Sequence, residues 1–219
     1  MTMAEFTTIA PLIAAVLVAA AIVVIDMILP GRRWAALLVA FAGLAAVGAL
    51  VVLVSRTPGT AFGGAYRVDD LTSFLDVLFV SIGALSLLFA PDYLTPRDLP
   101  VAEFASVLLF ALTGAMLISA AGDLLVLFLG LELMVLPGYL LAGYAKRDGL
   151  STEGAIKYFL LGSFSSAIFL FGLAYVWGLT GTTSISGVAD QLGAVAAGKA
   201  SLSAGLALGL AFMTTGVAF

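Results

Sequence analysis

The feature that most constrains this fold is a series of long apolar segments separated by short polar ones. Six of them cover residues 8–29, 34–54, 71–90, 102–121, 124–144 and 155–179, and a seventh begins at residue 202 and continues to residue 219. A helix of about 20 apolar residues crosses the ~30 Å hydrocarbon core of a bilayer. The sequence therefore predicts an all-α integral membrane protein with about seven transmembrane helices.

The composition favours the same class of protein. Of the 219 residues, 63% are hydrophobic and 10% are charged, whereas a soluble domain carries roughly 25% charged residues. The 24 glycines are typical of helices that pack closely in lipid. The net charge of −4 is small and the sequence has no basic cluster, so we expect no nucleic-acid binding.

Two residue types that carry much redox and metal chemistry do not occur in the sequence. Without cysteine there are no thiolate ligands for iron–sulfur clusters, and without histidine the usual ligand of haem and zinc is missing. We therefore expect no cofactor and no redox centre in this chain.

The polar segments indicate turns and a membrane orientation. Residues 55–70 contain Pro58 and three glycines, which predict turns or a short hairpin, and residues 180–200 predict a loop or surface helix with an amphipathic centre at 188–197. Lysines and arginines are more frequent on one side of the predicted membrane (Arg32, Arg33, Arg97, Lys146 and Arg147) than on the other (Arg56, Arg67 and Lys199). The positive-inside rule then places the N-terminus outside and residues 145–152 in the cytoplasm.

Six ionisable residues lie in or beside the predicted spans, where a charge needs a specific reason because insertion costs about 2.5–3.5 kcal/mol near the centre. They are Asp26, Asp76, Glu103, Asp123, Glu132 and Lys157. The positions of Asp26, Glu103 and Asp123 favour interfacial or helix-end roles. Asp26 can reach the headgroups or the Arg32–Arg33 pair, and Asp123 stands where the N-cap of the fifth helix belongs. Asp76 lies one to two turns inside the third span, so a structural and a functional role both stay open.

Glu132 lies deepest of these residues. It is about nine residues into the fifth span, or roughly 13 Å along the helix axis, and a carboxylate cannot reach solvent from there. It therefore needs a cation, a polar cavity or a proton, and Pro137 is expected to loosen the helix nearby. We favour an ion or proton site over the alternative, a protonated glutamate that only bonds a neighbouring helix.

Lys157 is the one cation inside a predicted span. Its long stem also permits snorkelling to the interface. Direct contact with Glu132 is not expected, because Glu132 lies about 20 Å from the cytoplasmic end of its helix. A relay through hydroxyls is an open alternative; the candidates are Tyr158, Ser163, Ser165 and Ser166.

The sequence is still apolar at residues 216–219, with no cap or charge to end a helix. A short final span and a chain truncated inside a helix both fit this pattern, and we favour truncation.

Several motifs resemble a known family. They are Gly130-Leu131-Glu132-Leu133, Ala155-Ile156-Lys157-Tyr158 and Gly181-Thr182-Thr183, together with the segment VDDLTSFLD at 68–76. At these spacings the chain from about Tyr66 onwards closely resembles the subunit N family of proton-pumping NADH–quinone oxidoreductase (respiratory complex I), whose members are antiporter-like membrane proteins.

The resemblance implies a fourteen-helix fold with two inverted five-helix repeats, the first comprising helices four to eight. Residues 1–100 would then supply three N-terminal helices with an external loop at 55–70. Residues 101–219 would supply helices four to seven, the beginning of the first repeat, truncated at the C-terminus.

The resemblance also assigns roles to individual residues. Glu132 occupies the position of the family's helix-five glutamate, and Lys157 that of its helix-six lysine; both would take part in proton translocation. The helix-seven lysine that faces the glutamate would follow the Gly-x-x-Phe element at 216–219. Secondary candidates are Asp123, Asp76, Ser163 and Ser166.

The function implied is that of a proton-translocating subunit in a bacterial inner membrane, with the N-terminus on the outer side. Electron transfer would occur in other subunits, which would hold NADH, flavin, iron–sulfur clusters and quinone, and the partners would be other membrane subunits and the bilayer. The alternatives are a subunit of a multisubunit cation/proton antiporter or of a related membrane hydrogenase and, from another class, a non-conducting scaffold.

Overall fold

The computed structural model describes residues 2–198, 201 and 203–218 and is helical with one small hairpin. Its helices are α1 (Met3–Ile28), α2 (Arg33–Val54), α3 (Asp70–Leu94), α4 (Val101–Ser119), α5 (Leu124–Ala142), α6 (Gly149–Thr180), α7 (Ile185–Ala196) and α8 (Ala204–Val217). Two short strands, β1 (Gly59–Ala61) and β2 (Tyr66–Val68), lie between α2 and α3.

The helices confirm an integral membrane fold. In the described part of the chain, α1 to α6 are long and apolar enough to cross a membrane. The seventh predicted span is represented by α8, which is apolar but has 14 described residues. The predicted start of that span, Leu202, lies outside the described residues, as do Lys199 and Phe219.

Some predicted helix ends are wrong, and local hydrogen bonds explain why. The third span does not end at Pro91: a proline removes a single backbone donor, and the Thr95 N–H still bonds to the Pro91 carbonyl. The sixth helix begins at Gly149 rather than 155, because the Asp148 side chain accepts the Leu150 N–H at 3.1 Å and caps it there.

The predicted hairpin is confirmed, and it covers one end of α4. β1 and β2 pair antiparallel, with Gly59 opposite Val68. The turn between them contains Gly63 and Gly64, both with positive φ. Two backbone bonds fix the hairpin to the α4–α5 junction: Arg67 N–H donates to the Ala120 carbonyl at 2.8 Å, and Gly122 N–H donates to the Ala65 carbonyl at 2.9 Å.

The predicted surface helix is also present, as α7. Ser184 caps it, and Val188 is its one buried residue. The preceding segment is tied to the hairpin side of the bundle, because Leu124 N–H donates to the Thr183 carbonyl at 2.8 Å.

Glycines at the helix–helix contacts set the distances between the helices. α4 packs against α1, α2, α3 and α5, and α6 packs against α5 and α8. At the α4–α5 contact a Cβ atom on Gly114 would lie 2.4 Å from the Met134 nitrogen. At the α6–α8 contact a Cβ atom on Gly172 would lie 2.6 Å from the Gly209 carbonyl oxygen. Only glycine permits these backbone approaches, which bring α5, α6 and α8 around one cavity.

Candidate functional site

Glu132 lines a cavity of about 270 Å³ between α5, α6 and α8. It is half-buried and lies eight residues from the start of α5, so its Cα is about 12 Å along the helix axis. Apolar walls come from all three helices, and the polar groups that share the cavity with Glu132 are Tyr139, Tyr158, Ser165 and Ser166. Of the three expected surroundings of Glu132 (a cation, a polar cavity or a proton), the structure contains a cavity with polar groups.

No cation pairs with Glu132 among the residues that the structure describes. α8 contributes Gly216 and Val217 to the cavity wall. A half-buried carboxylate without a positive partner is stabilised either by a cation brought to it or by a proton. The Glu132 carboxylate thus faces a cavity with hydroxyl groups and no described cation.

Lys157 lies outside this cavity. Its ammonium group pairs with the carboxylate of Glu153, one turn earlier on α6, and both side chains are exposed. As expected from the depths of the two residues, Lys157 does not contact Glu132. The resemblance groups the two residues by role, but the structure does not bring them together.

The hydroxyl candidates on α6 differ in their relation to the cavity. Ser166 lines the Glu132 cavity, whereas Ser163 is exposed and does not line it. Ser165 is buried and donates to the Gly216 carbonyl at 3.0 Å, which fixes the end of α8 against α6. A relay to Glu132 can therefore include Ser166 and Tyr158 but not Ser163.

Tyr139 is a cavity residue that the sequence analysis missed. It is buried, and its ring meets the Tyr158 ring edge to face at 4.8 Å between centroids. A Cβ atom on Gly162 would overlap with the Tyr139 hydroxyl, so the absence of a side chain at Gly162 leaves room for the Tyr139 ring in the cavity. The sequence feature that could have identified Tyr139 is its spacing from Glu132. It follows Glu132 by seven residues, which places both side chains on one helix face.

Asp76 belongs to a different buried cluster. Its side chain is 4% exposed, and its Oδ1 atom lies within hydrogen-bond distance of the Ser119 hydroxyl oxygen, at 2.9 Å. It lies on α3, and α4 stands between α3 and the α5 helix that carries Glu132. The structure therefore places Asp76 apart from the Glu132 cavity.

Three carboxylates occupy helix ends or interfacial positions. Asp123 caps α5, as predicted, and accepts the Leu125 N–H at 2.8 Å. Glu103 pairs with Lys146 at 3.6 Å near the opposite end of the bundle. Asp26 forms no ion pair with Arg32 or Arg33 in the described residues, and Arg33 donates instead to Thr95 at 2.9 Å.

Asp123 is expected to act as a cap rather than as a proton carrier. Asp123→Ala removes the acceptor for Leu125 N–H and for the Thr183 hydroxyl, which donates at 2.6 Å. We expect it to lower the free energy of unfolding by about 1 kcal/mol. Asp123→Asn keeps an oxygen acceptor, so its thermal stability and the transport activity of the complete subunit should stay close to wild type. A large loss of transport in a stably assembled Asn variant would contradict the capping role.

Comparison with known proteins places this site in a family. Residues 121–219, which include the Glu132 cavity, match the family model described as NADH:quinone oxidoreductase/Mrp antiporter, TM. The chain is 38% identical over 202 residues to NAD(P)H-quinone oxidoreductase subunit 2 of Synechocystis, covering 90% of this chain and 38% of that protein. The chain belongs to this antiporter-like family.

Further relatives agree with this assignment. NADH-quinone oxidoreductase subunit N 1 of Acidiphilium cryptum is 38% identical over 170 residues, which cover 77% of this chain and 34% of the relative. The chain thus spans just over a third of the length of these antiporter-like relatives.

Solved structures show the same fold. A chain of respiratory complex I from Thermus thermophilus superimposes with a TM-score of 0.73 at 28% identity, over 95% of this chain and 43% of that one. A chain of the Mrp complex from Dietzia superimposes with a TM-score of 0.67 at 23% identity, over 100% of this chain and 41% of the other. The second likeness is one of fold alone.

Proposed function

We propose that this chain is part of a proton-translocating membrane subunit of an NADH–quinone oxidoreductase, in which Glu132 takes up and releases the proton. The observation that supports this most is a half-buried carboxylate without a described cation, facing a cavity that also holds hydroxyl groups. The named relatives are subunits of quinone oxidoreductases. Residues 1–100 would supply three helices that support the α4–α8 unit.

Proton uptake and release by Glu132 would depend on the charge that this residue faces. A cation at the α8 wall, beside Gly216 and Val217, stabilises the carboxylate by Coulomb attraction. When that cation withdraws, the cost of burying a charge favours the neutral acid, and Glu132 takes a proton. In the family pattern this cation is the lysine that follows the Gly-x-x-Phe element of helix seven.

Lys157 and Glu153 would lie at the cytoplasmic end of the proton pathway that leads to Glu132. α6 has 32 residues and is about 48 Å long, so it extends beyond the ~30 Å hydrocarbon core. Glu153 and Lys157 are four and eight residues from the start of α6, near the expected cytoplasmic boundary. Protons would pass from there to Glu132 through Tyr158, Tyr139 and Ser166, with water in the cavity.

The energy for proton transport would come from electron transfer in other subunits, which would hold NADH, flavin, iron–sulfur clusters and quinone. Moving one charge against 100 mV costs about 2.3 kcal/mol, so each transported proton needs at least that coupling energy. We place the subunit in a bacterial inner membrane with its N-terminus and the hairpin on the outer side, because arginines and lysines favour the opposite side.

A cation/proton antiporter subunit is the second candidate, since the family model includes Mrp antiporters. The two functions differ in their ion requirement. The complete subunit, purified with its complex and reconstituted in vesicles, should drive NADH-dependent proton transport equally well with choline, sodium or potassium as the bulk cation.

An uncoupler provides the control, because it should abolish the proton gradient while NADH oxidation continues. Proton transport that requires sodium or potassium, in a purified complex that does not oxidise NADH, would reject the proposed function in favour of the antiporter.

A further inference from the structure

A second buried carboxylate lies at the hairpin end of the bundle. Asp76 is six residues into α3, about 9 Å along the axis, and its side chain is 4% exposed. The Glu132 cavity lies beyond α4, between α5, α6 and α8. Asp76 therefore needs its own physical explanation.

The hydrogen bonds around Asp76 are satisfied when it is a neutral acid. The Ser119 hydroxyl oxygen lies 2.9 Å from Asp76 Oδ1 and 2.8 Å from the Met116 carbonyl oxygen. A hydroxyl has one hydrogen and cannot donate to both acceptors. A protonated Asp76 donates to Ser119, and Ser119 then donates to Met116. An ionised Asp76 would take the Ser119 hydrogen away from Met116.

The surrounding charges do not favour an ionised Asp76. Tyr66 on β2 is the buried titratable neighbour, and burial raises the pKa of its phenol, so it supplies no positive charge. Arg67 is exposed and paired with Asp69 at 3.1 Å. The helices packed against α3 carry their ionisable residues at the far end, Arg33 on α2 and Glu103 on α4. No described cation pairs with Asp76.

Ser119 connects this acid to a polar cavity that we term the vestibule. The vestibule measures about 450 Å³ and is formed by the hairpin turn, the α4–α5 junction and the start of α7. Its polar lining includes Ser119, Thr72, Asp69, Asp123 and Ser184. Ser119 thus contacts a buried carboxyl group through its hydroxyl and also lines a cavity suited to water.

We propose that Asp76 is a second proton-binding site, which exchanges its proton with water in the vestibule through the hydroxyl of Ser119. In release, the Ser119 hydroxyl turns from the Met116 carbonyl to a water molecule in the vestibule, the O–H bond of Asp76 breaks as its proton binds Ser119 Oγ, and the original hydroxyl proton of Ser119 passes to that water molecule. The products are a carboxylate, an unchanged serine and hydronium, and uptake is the reverse. Any part in transport rests on the proposed function, whereas protonation and exchange at Asp76 do not.

The test is infrared difference spectroscopy on the complete subunit in its assembled complex. The wild-type minus Asp76→Asn spectrum should contain the carbonyl stretching band of a protonated carboxylic acid. The wild-type minus Asp70→Asn spectrum should lack it, because Asp70 is the exposed carboxylate in the first turn of the same helix. In heavy water the wild-type band should shift as its proton exchanges.

The variant Ser119→Ala addresses the exchange route. It should change the band frequency, because the acid loses its hydrogen-bond partner, and should slow the shift in heavy water. This comparison also identifies the band if Asp76→Asn does not assemble.

Two results would overturn the proposal: no acid band attributable to Asp76, or a band that never shifts in heavy water. Normal pumping by a Glu132→Gln complex would reject the proposed function yet leave this band in place, so the two failures are distinguishable.

Discussion

Glu132→Gln in the complete subunit is expected to lower proton transport about 100-fold while the complex still assembles. Glutamine has nearly the shape of glutamic acid and can keep hydrogen bonds in the α5–α6–α8 cavity, but it cannot bind and release a proton. A positioned acid–base group contributes about 10²–10⁴ to the rate of a proton transfer, and we take the lower limit. The measurement is NADH-driven acidification of vesicles at a known rate of NADH oxidation.

The matched control is Glu103→Gln, which removes a carboxylate from an exposed ion pair with Lys146 at 3.6 Å. Exposed ion pairs contribute about 0–1 kcal/mol, so assembly and transport should stay near wild type. Normal transport by an assembled Glu132→Gln complex would refute the role given to Glu132.

Glu132→Leu separates transport from scaffolding. In a scaffold, leucine should be harmless, because it relieves the subunit of a carboxylate that costs about 2.5–3.5 kcal/mol to insert near the membrane centre. In a proton carrier, leucine should be at least as damaging as glutamine.

The number and order of the long helices could be predicted from the sequence because the hydrocarbon core imposes one length on every span. Runs such as 34–54 therefore locate helices without further information, and Asp123 could be recognised as a cap from its place before Leu124. The ends of the helices were harder to predict, because a single hydrogen bond can decide at which residue a helix ends. At Pro91 the sequence indicates a helix end, yet the helix loses one donor there and continues to Leu94.

The composition of the Glu132 cavity could not be predicted in the same way. α5 and α6 are apolar on all sides, so their sequences have no periodicity that tells a buried face from one exposed to lipid. Ser163 and Ser166 were equal candidates for this reason, although only Ser166 lines the cavity. The Asp76–Ser119 contact joins residues 43 positions apart, so its geometry follows from the packing of α3 on α4 rather than from any local motif.

The cavity wall depends on the close approach of α6 and α8, and Gly172→Ala is expected to disrupt it. The added Cβ atom would lie 2.6 Å from the Gly209 carbonyl oxygen and 2.6 Å from the Met213 nitrogen. Both are backbone atoms and cannot rotate away, so the helices must separate. Overpacking of this kind typically costs about 1–3 kcal/mol.

Gly178→Ala is the matched control for this prediction, because it lies on the same helix and its Cβ atom would meet nothing within 4 Å. Alanine is the better helix former by about 1 kcal/mol, so this variant should be neutral or slightly stabilising. Thermal unfolding of the purified complete subunit should therefore rank Gly178→Ala at or above wild type and Gly172→Ala well below it. Equal unfolding temperatures for the two variants would show that the α6–α8 contact does not hold the cavity wall in place. Since α8 supplies Gly216 and Val217 to that wall, Gly172→Ala should also lower transport without changing any ionisable residue.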